Sequence, residues 1–152
     1  MQIANAKYVL YTDAYLASRD TAEYTVQPFP TSGDRFGASE LAKRRNPEAF
    51  TRTGFICQAL AAGWHHKSPD QLAELGDRVG RERIMVVHGM EDRMITLPHG
   101  EVLAEELSAG AKEGQGVRKK FVEGLGHVMP IERREEFMRL VEEMVETGES
   151  AR

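Results

Sequence analysis

Four residues, "IMVV" at Ile84–Val87, constrain this chain more than any other stretch. They form an unbroken apolar run, with Arg83 before it and His88-Gly89 after it. A strand with one wet face alternates apolar and polar side chains, and a strand covered on both faces does not. The run therefore predicts a parallel strand buried between helical layers. Parallel neighbours are joined by right-handed helical crossovers, and such sheets ordinarily hold more than two strands. The four residues thus imply an α/β fold and a supply of neighbouring strands.

The sequence from about Ser68 provides part of that supply. "SPDQLAELGDRVG" opens with a capping-box pattern of Ser68 and Gln71, has Pro69 at its first helical position, and stops by Gly80. Gly100–Ala111 reads as the next helix and Val117–Val122 as the second strand. Between Glu132 and Glu146, Phe137, Leu140, Val141, Met144 and Val145 recur at i, i+3, i+4, i+7 and i+8, the spacing of a helix with one apolar face. The order is helix, strand, helix, strand, helix.

Residues 1–63 read differently, as helical segments with irregular connections and no buried strand. "VQPFPTSGDRFG", Val26–Gly37, holds two prolines and two glycines and predicts a long loop. In "NPEAFTRTGFICQALAAG", Asn46 suits an N-cap, Pro47 the first helical position and Gly63 the stop, with Phe55, Ile56, Ala59 and Leu60 on the core face. Two parts follow: a helical segment over residues 1–63 and an α/β part over residues 64–152.

Composition removes several classes of function. A chain of 152 residues with 41% hydrophobic content is expected to bury a core as a soluble protein. The formal net charge is −4, and the basic clusters Lys43–Arg45 and Arg118–Lys120 are short, so no nucleic-acid partner is expected. Cys57 is the only cysteine, which excludes an intrachain disulfide and a cysteine-rich metal site and suggests a reduced, cytoplasmic setting. No window approaches the roughly 18 apolar residues of a membrane span. The opening "MQIANAKYVLYTDAYL" lacks the basic start and apolar core of a secretory signal. His65 and His66 are adjacent, so on an extended segment their side chains point apart. No acidic or cysteine partner stands at ligand spacing, and no metal is expected.

Chemistry is expected in the loops that leave the carboxyl ends of parallel strands. One such loop, in "RIMVVHGMEDRMI", carries Asp92; the other, in "FVEGLGHVMP", carries His127 between Gly126 and Val128. Adjacent parallel strands bring these loops side by side. There a carboxylate can hold the tautomer of an imidazole and stabilise the imidazolium formed when it takes a proton. Asp92 is the expected orienter and His127 the expected base, with Gly124 and Gly126 giving the tight turn. The plainer alternatives are a loop-bracing Asp92 and an ordinary turn histidine. His88 reads as a packed strand-end residue, and Trp64, Met94, Ile95 and Leu97 as either core or the lining of an apolar pocket.

Taken together, the two loops resemble the C-terminal part of the α/β-hydrolase family, whose triad runs in the order nucleophile, acid, histidine. "IMVVHGMEDRMI" is similar to the family's penultimate core strand and acid loop; Glu91 is a rival acid beside Asp92, and the family register favours Asp92. "FVEGLGHVMPIERREEFMRLVEEMV" is similar to the last strand, histidine loop and closing helix. The helix Pro69–Val79 matches the preceding core helix. The resemblance covers about Ser68 to Thr147, and Met1–Gly63 is loosely similar to the family's helical cap.

One part of the family pattern is missing. No G-x-S-x-G nucleophile elbow occurs, none of Ser18, Ser32, Ser39, Ser68, Ser108 and Ser150 has that context, and there is no glycine-rich oxyanion loop. The resemblance therefore implies the C-terminal portion of an α/β-hydrolase fold, two parallel strands with flanking helices preceded by a cap-like segment, with the nucleophile half upstream. It implies hydrolysis of an ester-like or other small hydrophobic substrate by the complete protein, without metal or organic cofactor. The nucleophile can be Ser or, as in epoxide hydrolases, Asp. The 152 residues alone are expected to be inactive, and to self-associate or bind an N-terminal half. The alternative is a shortened, non-catalytic binding or regulatory module, or an incomplete gene product.

Overall fold

In the computed structural model, which describes residues 2–22, 28–46, 48 and 51–150, the chain divides into two units. One comprises Met1–Tyr8 and Asp13–His66, the other Val9–Thr12 and Lys67–Arg152. The division falls within α1 (Ile3–Leu10).

The first unit continues with α2 (Asp13–Ala17), α3 (Ser32–Arg45) and α4 (Arg52–Trp64). Helix α3 takes over much of the stretch expected to be a loop at Val26–Gly37. Thr31 caps it by accepting a hydrogen bond from the Asp34 N–H at 3.1 Å. Asp34 in the first turn and Lys43, Arg44 and Arg45 in the last complement the helix dipole. A capped and charge-matched helix tolerates its glycines, which cost about 1 kcal/mol each. Buried Asp20 secures the approach to it, accepting from the N–H groups of Ala22 and Phe29 and pairing with Arg35 at 2.6 Å. Residues 23–27, and with them Val26, lie outside the described residues.

Asn46 is not the N-cap of the following helix. It is the C-cap of α3, and although its Oδ1 accepts from the Glu48 N–H as an N-cap would, the next helix does not begin there. Helix α4 starts later, at Arg52, where Thr51 accepts from the Gly54 N–H at 3.0 Å; Pro47 lies outside the described residues. The helix runs through Gly63 to Trp64. Its expected core face is open: Phe55, Ile56 and Leu60 are 63%, 56% and 57% exposed, Ala59 is exposed, and α4 buries no residue. Periodicity marked which face is apolar, but nothing in that unit packs against it among the described residues.

The second unit is mixed α/β. Helix α5 (Pro69–Val79) begins with the capping box read from the sequence, Ser68 and Gln71 each accepting from the other's backbone N–H, and ends at Gly80. A short 3₁₀ turn, Arg81–Arg83, leads to β1 (Met85–Gly89), then α6 (Leu97–Ser108), β2 (Arg118–Val122), α7 (Met129–Glu132) and α8 (Arg134–Ser150). The strands pair in parallel, Met85 opposite Arg118 through Gly89 opposite Val122, joined by the α6 crossover. Helix α6 starts before the expected Gly100 because Pro98 occupies its first turn. The closing helix is preceded by the separate turn α7, which lies before the apolar period that starts at Phe137.

Both faces of β1 are covered, as the unbroken apolar run requires. On one face Val86 packs with Ala104 and Leu107 of α6 and with Val117, backed by Leu72, Ile84 and Phe121. On the other Val87 packs with Val122, Leu125 and Met129, backed by Phe137 and Leu140 of α8. Adjacent residues Val86 and Val87 thus serve opposite layers, the alternation that extended backbone imposes. Arg81 fixes the crossover by donating to the carbonyls of Leu107 and Ala109 at the C-terminus of α6. Among the described residues the second edge of β1 pairs with no strand, and no helix is long and apolar enough to cross a membrane.

Candidate active site

The carboxyl ends of β1 and β2 lie side by side, and their two loops are bonded to each other through the backbone. The Met90 N–H donates to the Val122 carbonyl at 2.9 Å, and the Glu91 N–H to the Leu125 carbonyl at 3.0 Å. This approach is possible because residue 89 is glycine. A Cβ there would stand 2.2 Å from the Gly126 carbonyl oxygen and 2.4 Å from that of Leu125, both fixed backbone atoms. Gly124 turns the second loop with φ +64°, a left-handed conformation that glycine adopts without strain. Gly126 needs no positive φ.

Asp92 occupies the first loop, buried, with its side chain 5% exposed. Its Oδ1 accepts from the N–H groups of Met94 at 2.8 Å and Ile95 at 2.9 Å. Its Oδ2 lies 2.8 Å from His127 Nδ1. Burial pushes the Asp92 carboxyl toward a higher pKa. The N–H of Ile95, the His127 ring, the N–H of Met94 and the His127 charge outweigh it, so the pKa lies below the ordinary carboxylate value. At neutral pH Asp92 is ionised and can only accept, so His127 Nδ1 carries the hydrogen. The lone pair of the neutral ring is left on Nε2, and the His127 side chain is 29% exposed.

The other residues singled out from the sequence are placed as follows. His88 points its Nε2 at Asp92 Oδ2, but at 3.8 Å, beyond hydrogen-bond range, while its Nδ1 donates to the Gly89 carbonyl at 2.8 Å. With its side chain 11% exposed, it is a packed strand-end residue beside the carboxylate. Glu91 is exposed and contributes its backbone N–H to the loop contact. Met94 and Ile95 follow Asp92 with their side chains about half exposed, Leu97 begins α6 half-buried, and Trp64 belongs to the other unit. His65 and His66 are exposed, and among the described residues no three His, Cys, Asp or Glu side chains converge as metal ligands.

Two features of the site are not marked in the sequence. Leu10 and Thr12, far from His127 in sequence, lie against its loop: the His127 N–H donates to the Leu10 carbonyl at 2.9 Å. Glu132 in α7 bonds both sides of that junction, to Gly126 and to Thr12. Comparison with protein-family models, curated proteins and solved structures finds no match for this chain.

Proposed function

We propose that this chain carries the acid and the base of a nucleophile–histidine–acid triad of the α/β-hydrolase type, and that the attacking group comes from polypeptide outside these 152 residues. One observation carries the reading: an ionised, backbone-anchored Asp92 holds His127 by Nδ1 at 2.8 Å and leaves the lone pair of the neutral ring on Nε2, in a side chain that is 29% exposed. In that role His127 Nε2 takes the proton of the attacking hydroxyl as its oxygen bonds to the substrate carbonyl carbon. Asp92 stabilises the resulting imidazolium, and Nε2–H then returns the proton to the leaving group. The substrate class is an ester or another small hydrophobic electrophile. An Asp nucleophile, with His127 activating water in the second step, uses the same dyad.

Nitrogen NMR of the His127 ring is the direct test. The reading requires Nδ1 protonated and Nε2 bare in the neutral ring, and the opposite tautomer in Asp92→Asn. An Nε2-protonated ring in the unaltered chain overturns it.

A second reading, a binding or regulatory module without turnover, is favoured by the absence of an elbow context around any of the six serines. A fluorophosphonate probe separates the two. The chain alone is expected to take no label, and supply of a strand–elbow–helix polypeptide to produce labelling that depends on His127. Stoichiometric labelling of Ser18, Ser32, Ser39, Ser68, Ser108 or Ser150 in the chain alone would show that it contains its own nucleophile.

A further inference from the structure

We infer that Glu132 is a positioning residue for His127, acting by clamping the histidine loop to the segment Leu10–Thr12. The inference rests on the Asp92–His127 reading and extends it to a second side of the ring's support.

The histidine loop is held at three places. On the acid side Asp92 takes the ring by Nδ1, and the Glu91 N–H donates to the Leu125 carbonyl. On the far side the His127 N–H donates to the Leu10 carbonyl at 2.9 Å. Between Leu125 and His127, the Gly126 N–H donates to Glu132 Oε1 at 3.1 Å. The second oxygen of the same carboxylate, Oε2, accepts the Thr12 hydroxyl at 2.9 Å and lies 3.4 Å from the Thr12 N–H. One carboxylate thus joins the residue before His127 to a segment 120 positions away in the chain.

The surroundings make this bridge consequential. Gly126 and Thr12 are buried, Thr12 at 3% exposure, and Leu125 is fully buried at 0%. A buried N–H that loses its acceptor must find another or open to water. Glycine at 126 has no side chain to restrict its own backbone, so the bond from Glu132 supplies the restraint that sequence does not. With Gly126 held by Glu132 and the His127 N–H by Leu10, the Cα of His127 is fixed on one side while Asp92 fixes the ring on the other. A proton-transfer group needs its reacting nitrogen placed to within a fraction of an ångström, and flanking hydrogen bonds of this kind set that placement.

Glutamine at 132 can still offer Oε1 to Gly126 and a donor to the Thr12 hydroxyl, which can accept as well as donate. Alanine offers neither. The test is hydrogen exchange and proton NMR on the full chain with Glu132→Ala, Glu132→Gln, Thr12→Val and Asp92→Asn. Glu132→Ala is expected to accelerate amide exchange of Gly126 and His127 by about tenfold relative to Val86 and Val122 in the strands. It is also expected to broaden the His127 Nδ1–H resonance. Glu132→Gln should restore both signals, and Thr12→Val should move them the same way by less. If Glu132→Ala fails to fold, the Thr12→Val and Glu132→Gln results decide alone. Unchanged Gly126 exchange and ring signal in Glu132→Ala, or a uniform change that includes the strands and is not restored by glutamine, overturns the proposal. A missing Nδ1–H signal in the unaltered chain, or one that survives Asp92→Asn, overturns the dyad instead.

Discussion

Replacing Asp92 tests the site through stability, because the carboxylate makes three hydrogen bonds while almost wholly buried. Asparagine keeps the shape. Its amide oxygen can still accept from Met94 and Ile95, but an NH₂ group then faces His127, which must offer a bare Nδ1. A charge-assisted bond worth about 1.5–3 kcal/mol becomes a neutral one worth about 0.5–1.5, a loss of about 1–2 kcal/mol. Alanine removes all three bonds. Each bond lost from the half-exposed residues Met94 and Ile95 costs about 1 kcal/mol. With about 2 kcal/mol for the imidazole bond, Asp92→Ala should cost about 4 kcal/mol. Urea unfolding at neutral pH, with the slope unchanged so that midpoints compare directly, should rank the unaltered chain above Asp92→Asn and that above Asp92→Ala. Two variants of equal stability, or both within about 0.5 kcal/mol of the unaltered chain, would refute the view that Asp92 is the anchor of both loops.

The same carboxylate sets a pH dependence. Its folded pKa is depressed, so its contribution is fully present above the unfolded value of about 4 and is lost as pH falls toward the folded one. The stability gap between the unaltered chain and Asp92→Asn should therefore shrink as unfolding is repeated below about pH 4; a gap that widens there contradicts the assignment. Gly89→Ala should cost more than about 3 kcal/mol, since its Cβ meets carbonyl oxygens that cannot swing aside. Gly148→Ala, in α8 with nothing within 4 Å, should instead stabilise by about 0.5–1 kcal/mol, and thermal melts of the pair would expose an error in either. The edge of β1 that pairs with no strand among the described residues should make the chain associate, with light-scattering mass rising across a concentration series. A constant monomer mass contradicts this.

The fold was legible where local signals and tertiary demands agree. The capping box at Ser68 is a contact among four consecutive residues, so the sequence contains all of it. The run Ile84–Val87 required cover on both faces, and the layers built around Val86 and Val87 supply it. Where the reading failed, two local signals competed. Glycines at 33 and 37 suggested a loop, but the Thr31 cap and the charges at both helix ends favour α3. Asn46 serves either end of a helix; here its backbone N–H closes α3 on the Lys43 carbonyl, while its Oδ1 accepts from Glu48 beyond the helix. The apolar stripe of α4 marks a face suited to burial without stating what would cover it, and Phe55, Ile56 and Leu60 are exposed.

The site divides along the same line. Asp92 and His127 were legible because each follows a strand, and parallel pairing of neighbouring strands brings such loops together from sequence order alone. Gly89 carried a signal that the sequence reading did not use, since a glycine at the end of a strand marks a close backbone approach. Glu132 carried none. It stands among "PIERREE", where one more acidic residue at a helix start is unremarkable, and its partner Thr12 is 120 positions away. Periodicity describes contacts within an element, and strand order describes contacts between adjacent loops. A carboxylate that joins the turn before His127 to Thr12 belongs to neither, because its two partners meet only after the fold has formed. A hydrogen-bonded pair in two strand-end loops is therefore easier to find in a sequence than the contacts behind it, and the bonds that tie the His127 loop to Leu10, Thr12 and Glu132 become visible only in three dimensions.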